Sequence, residues 1–160
     1  MEDFLPALTS VAAVGCGVVA GVFFVFSAFV MKALGRLPTS QAIGAMQAIN
    51  AAAPSPAFMA VLFGTALACA AVMLCSVFVW GESLAVYLLA GGALYLICSI
   101  GPTAVYHVPR NEALAKVEPC GADAGNRWSR YLAGWTTWNH LRFAGALAAS
   151  GALTIALHIS

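Results

Sequence analysis

The chain has 160 residues, 62% of them hydrophobic and only 8% charged, with mean hydropathy +0.90 and formal net charge +1. Soluble domains carry about 25% charged residues, so too few charges remain here to cover a water-facing surface. The composition excludes a soluble globular protein and implies an all-α integral membrane protein whose first partner is the lipid bilayer. No basic cluster or RNA-binding motif is present, which argues against nucleic acid as a partner.

Four apolar stretches follow in chain order: residues 4–31, 57–80, 83–106 and 132–159. Each exceeds the roughly 20 residues needed to cross about 30 Å of hydrocarbon. The length suits one four-helix bundle over residues 1–160, a single transmembrane domain. Glu2 and Asp3 precede the first stretch with no Lys or Arg. It therefore lacks the basic region of a signal peptide and reads as a retained helix. Within it Ala13, Gly17 and Gly21 recur every four residues, a small-residue pattern that lets helix backbones approach closely, within one chain or between two.

The first connection is more than linker. Pro38 with Thr39 and Ser40 makes a helix start, and Pro54 and Pro56 a stop. Between them Ile43, Met46, Gln47 and Asn50 share a face. The plain reading is a short interfacial amphipathic helix; the sharper one sends Gln47 and Asn50 toward the fourth span. Span two carries Thr65, Cys69, Met73 and Ser76 on one face. Span three carries Tyr95, Ser99, Thr103 and Tyr106, leading to His107. Both stripes are expected to face the bundle interior. The third connection, residues 108–130, contains Pro109, Pro119, Gly121 and Gly125 and reads mostly as loop.

Six of the seven Lys/Arg side chains, Lys32, Arg36, Arg110, Lys116, Arg127 and Arg130, fall in the two connections that must share one side. By the positive-inside rule that side is cytoplasmic, and both termini face outward across the plasma membrane.

The seventh basic residue is Arg142, inside span four. A charge at a helix centre costs about 2.5–3.5 kcal/mol on insertion scales, so an intramembrane ionisable group marks a candidate functional site. It closes the run Trp135-Thr136-Thr137-Trp138-Asn139-His140-Leu141-Arg142, in which Trp135, Trp138, Asn139 and Arg142 share one helical face. Interface anchoring explains two indoles where a span meets headgroups. It explains the clustering of Asn139, His140 and Arg142 less well.

The five cysteines form no Cys-x-x-Cys, which argues against a thiol oxidoreductase or cysteine zinc site. His107 and His140 end and open neighbouring spans on the same side. Bound metal or haem through either stays open, although no carboxylate or third histidine joins them at ligand spacing. Other roles for these imidazoles are a base, a hydrogen-bonding group or an interfacial anchor.

Taken together, Gly21-Val22-Phe23-Phe24-Val25-Phe26-Ser27, Met46-Gln47-Ala48-Ile49-Asn50, Val108-Pro109-Arg110-Asn111 and the Trp135 to Arg142 run resemble the anthrone oxygenase-like family of small four-span membrane proteins. The resemblance spans nearly the whole chain. It implies oxidation of a lipophilic phenolic or polycyclic substrate, an anthrone to an anthraquinone, by dioxygen. That is an oxidoreductase with monooxygenase stoichiometry. An anthrone is a carbon acid whose enolate reacts with dioxygen directly, so no flavin is required. On this reading His140 is the first candidate base and His107 the second. Arg142, Asn139 and Asn111 would be oxyanion donors. Trp135 and Trp138 would stack on a flat substrate, with Gln47 and Asn50 as further binding residues. Two other classes stay open: a non-catalytic membrane subunit or small-molecule binder, alone, as a homo-oligomer or in a larger complex, and a haem- or metal-binding electron carrier.

Overall fold

A computed structural model describes residues 4–159, all of them helix or short connection with no strand; Glu2 and Asp3, with any side assigned to them, lie outside these residues. The elements are α1 (Phe4–Val25), a π turn (Phe26–Val30), α2 (Met31–Leu34), α3 (Thr39–Ala52), α4 (Pro56–Ser76), α5 (Ser83–Tyr95), two further π turns (Leu96–Ile100 and Thr103–His107), α6 (Val108–Ala115) and α7 (Ala124–His158). Run together, they give four helices long and apolar enough to cross a membrane: Phe4–Leu34, Pro56–Ser76, Ser83–Ala115 and Ala124–His158. This is a multi-pass membrane protein. Its outer faces are apolar, with Leu67 74% and Phe78 82% exposed, which suits hydrocarbon and would be a liability in water.

The spans form an up-down-up-down ring in which α1 packs on α4 and α7, and α5 packs on the same two. Its core is built from small and branched side chains, among them Ala12, Cys16, Val19, Cys69, Val72, Leu88, Ala149 and Leu153. Small residues do the close packing. Gly92 lies where a Cβ would come 2.7 Å from the Cys69 carbonyl oxygen, and Gly145 lies against Cys98. In the small-residue pattern of span one, the Ala13 carbonyl accepts a hydrogen bond from Ser150 at 2.9 Å, and a Cβ added at Gly17 would come 3.4 Å from the same Oγ. Both therefore serve packing within the chain. Gly21 is exposed, with open space where a Cβ would project. Span two ends at Ser76, four residues before the sequence reading placed it, because the chain turns at Gly81, whose φ of 109° costs only glycine nothing.

A second core caps the end of the bundle that carries Lys32, Arg36, Arg110, Lys116, Arg127 and Arg130, called here the basic end. There α3 tucks Ala42, Ile43 and Met46 against Met31, Leu34, Leu114, Trp128, Tyr131 and Trp135. The short helix of the first connection is thus present. Its Gln47 Nε2 donates to the carbonyls of Leu114 and Val117, both at 3.0 Å, tying α3 to the end of span three.

The third connection departs from its sequence reading as a loop. Span three runs on through Pro109 to Ala115, and α7 begins at Ala124, leaving only residues 116–123 outside a helix. Proline removes a backbone donor and crowds the carbonyl one turn back. Here each proline follows a widened π turn, Leu96–Ile100 before Pro102 and Thr103–His107 before Pro109, which accommodates the missing donor without ending the helix.

Candidate functional site

The face of α7 that carries Trp135, Asn139 and Arg142 turns inward, and so do the stripes of spans two and three: Thr65, Cys69, Ser76, Tyr95 and Ser99 are all buried. Arg142 is 6% exposed and does not snorkel out of the bundle. Its Nη2 donates to Asn139 Oδ1 at 2.6 Å and its Nη1 to Thr103 Oγ1 at 3.3 Å. The guanidinium lies 4.2 Å from the Phe23 ring centroid and 5.2 Å from that of Trp135. Among the described residues it has no carboxylate partner, and its Nε is the one buried side-chain nitrogen or oxygen without a hydrogen bond. A buried charge is normally paired. Here it is held by dipoles and ring faces alone, with a donor left over.

Asn139 is fully buried and anchors this group to α1, its Nδ2 donating to the Phe23 carbonyl and to Ser27 Oγ, both at 2.8 Å. Span three latches the other side: Ser99 Oγ donates to the Arg142 carbonyl at 3.1 Å, and Thr103 Oγ1 to the Ser99 carbonyl at 2.7 Å.

Trp135 joins this cluster to a second polar group at the basic end. Its indole nitrogen donates to Asn111 Oδ1 at 3.1 Å, which also accepts from Tyr131 Oη at 2.8 Å. Tyr131 in turn accepts from Asn50 Nδ2 at 3.2 Å. The connected series is Asn50, Tyr131, Asn111, Trp135, Arg142, Asn139 and Ser27, drawn from α3, α7, α6 and the first π turn.

His107 is buried between Tyr106 and Trp135, edge-on to each. Its Nδ1 lies 3.1 Å from the Pro102 carbonyl oxygen and its Nε2 3.3 Å from that of Trp135. Neutral imidazole has one N–H to share. Only one of the two carbonyls can therefore accept from it at a time.

His140 does not join the site. It lies two residues from Arg142, about 200° around the helix at 100° per residue, and is exposed with no hydrogen bond among the described residues. The structure links Asn50, Asn111, Asn139 and Arg142 in one series of contacts and leaves His140 outside it. The two imidazoles face different ways, so they share no binding point. Trp138 is outside too: 38% exposed, it stacks on Tyr106 at 5.0 Å between centroids, beside the buried cluster rather than in it. Gln47 serves the junction of α3 with α6.

Tyr131, Phe23, Ser27 and Thr103 complete the site. None of the four is among the site residues expected from the sequence, and Tyr131 is the one its helical position could have marked. It lies four residues before Trp135 on the same face, but the predicted span started one residue after it.

An apolar cleft of about 710 Å³ opens at the opposite end of the bundle, lined by Phe4, Leu5, Phe78, Leu84, Leu88 and Glu82 among others. It contains none of the predicted site residues. It offers room for an acyl chain but not the convergent donors that surround Arg142.

A family model described as anthrone oxygenase matches residues 51–152. This chain belongs to the anthrone oxygenase family. The matched region contains His107, Asn111, Tyr131, Trp135, Asn139 and Arg142, while Phe23, Ser27 and Asn50 come from outside it. No curated protein and no solved structure matches the chain. The matched residues cover span two, span three and most of span four, and α1 and most of α3 precede them.

Proposed function

We propose that this protein is a membrane-embedded oxygenase that converts a lipophilic phenolic or polycyclic carbon acid, such as an anthrone, to the corresponding quinone with dioxygen. The observation that carries the reading is Arg142: a buried cation with no counter-charge among the described residues and an uncommitted Nε, in a chain of the anthrone oxygenase family. Such a group is suited to an anion that forms during reaction.

The chemistry balances without a protein-bound redox group. A base takes a proton from the activated methylene, leaving an enolate whose oxygen carries the charge. The enolate carbon forms a bond to dioxygen, the resulting peroxide anion takes back the proton held by the base, and the hydroperoxide loses water to give the ketone. Arg142 Nε faces the enolate oxygen. The base is His107, in place of the outward-facing His140, and Trp135 supplies an aromatic wall. A lipophilic substrate enters from the bilayer, past the exposed Trp138 and the half-buried Tyr106 on which it stacks. The basic end is cytoplasmic, both termini lie outside, and the membrane is the plasma membrane.

The test is oxygen uptake, with the quinone absorbance, by purified protein in detergent supplied with an anthrone. Oxidation above the spontaneous rate, lost in a folded His107→Gln variant, supports the reading. Folded wild-type protein that never exceeds the spontaneous rate contradicts it.

One observation favours a second reading. Asn139, Ser99 and Thr103 tie α1, span three and α7 together at Arg142, as a packing device in a non-catalytic subunit would.

A further inference from the structure

A second cavity, about 320 Å³, lies at the basic end between α6, the residues 116–123 connection and the start of α7. Its floor is apolar, with Leu114 and Val117, and its rim holds three guanidinium groups, Arg110, Arg127 and Arg130, against one carboxylate, Asp123. These are three of the chain's seven Lys/Arg residues, brought together from two helices. Asp123 pairs with Arg127 and offsets only one of the three charges. Its carboxylate accepts from Asn126 Nδ2 at 3.1 Å and from Arg127 Nε at 3.2 Å, leaving the terminal amino groups of Arg127 uncommitted. Arg130 uses only its Nε, donating to the Asn126 carbonyl at 3.3 Å, and Arg110 rests over the Tyr106 ring at 5.2 Å.

The depth of this cleft follows from helix length. At 1.5 Å per residue α7 is about 52 Å long, well over the ~30 Å hydrocarbon thickness. Roughly 20 residues counted back from His158 reach Asn139, beside Trp138, an indole suited to the membrane boundary. By that count residues 124–131 extend about 12–22 Å past the hydrocarbon edge along the helix axis, so the cleft lies on the water side of the membrane boundary. Arginine presents a planar, forked set of donors that fits tetrahedral oxyanions.

We propose that this cleft binds a phosphate group, held by Arg110, Arg127 and Arg130 above the Leu114 and Val117 floor. The phosphodiester of an anionic lipid headgroup and a free phosphate would use the same donors. The site is separate from Arg142 and does not depend on the oxygenase reading. It touches the polar series only through Tyr131, which lines the cleft.

The test is calorimetric titration of the full chain in an uncharged maltoside detergent, with dihexanoyl phosphatidylglycerol in one arm and inorganic phosphate in the other. Saturable binding at one site per chain is expected. Arg110→Gln, Arg127→Gln and Arg130→Gln should each weaken it about tenfold, the size of one charge-assisted hydrogen bond. Lipid binding much tighter than phosphate assigns the headgroup as the source, and equal affinities assign free phosphate. The three arginines are exposed, and circular dichroism checks that the variants remain folded. No saturable binding of either probe, or equal binding by the three folded variants and wild type, overturns the proposal.

Discussion

Asn139→Ala should be among the most damaging single substitutions in this chain, and the structure says why. The amide makes two bonds to α1, at the Phe23 carbonyl and Ser27 Oγ, and accepts one from the Arg142 guanidinium. Interhelical bonds in membranes average about 0.6 kcal/mol each, and a bond to a charged group is worth about 1.5–3 kcal/mol. Together they put the loss at about 3–4 kcal/mol. The larger share is the stranded guanidinium, so the cost should depend on Arg142. In an Arg142→Leu background the same Asn139→Ala change should cost only about 1 kcal/mol, a coupling of about 2 kcal/mol or more across the double-mutant cycle. Reversible unfolding in mixed dodecyl maltoside and dodecyl sulfate micelles, followed by tryptophan fluorescence, measures all four corners. A cost under about 1 kcal/mol for the single variant, or equal costs in both backgrounds, would refute the view of Asn139 as the anchor of a buried charge.

Tyr131→Phe removes a hydroxyl that donates to Asn111 and accepts from Asn50. It should cost about 1–2 kcal/mol in the same unfolding assay, with the Trp128 stack at 5.8 Å retained. Gly92→Ala drives a Cβ toward the Cys69 carbonyl and Met73; a loss of about 1–3 kcal/mol is expected, and wild-type stability would show that α4 and α5 are not packed this closely. His140→Ala, at an exposed position, should change stability by no more than about 0.5 kcal/mol and leave oxygen uptake near wild type. A collapse of turnover in that folded variant would restore His140 as the base.

The membrane architecture was legible because it rests on composition and run length, which no tertiary detail can reverse. The inward face of α7 was legible for a related reason. Trp135, Asn139 and Arg142 share a helical face, and a guanidinium in an apolar helix has to find partners. The partners themselves were not readable. Phe23 and Ser27 sit more than a hundred residues away, and nothing in their local sequence marks them as contacts of a charge. Tyr131 was cut off by ending the span where hydropathy falls, although the helix continues beyond the hydrocarbon. Pro109 was read as a breaker, yet a widened turn absorbs it. His140 was drawn into the site by its neighbours in sequence; two residues along a helix is the opposite side.

Arg142→Lys tests the central claim most directly. Lysine keeps the positive charge but loses the planar fork, including the uncommitted Nε. The measurement is quinone formation and oxygen uptake from an anthrone, per folded molecule, alongside unfolding in mixed micelles. If Arg142 stabilises an anion formed during reaction, turnover should fall roughly 100- to 1000-fold, as for loss of one oxyanion donor, while the variant still folds. Wild-type turnover per folded molecule, with or without a loss of stability, would contradict the account and leave Arg142 as a packing residue.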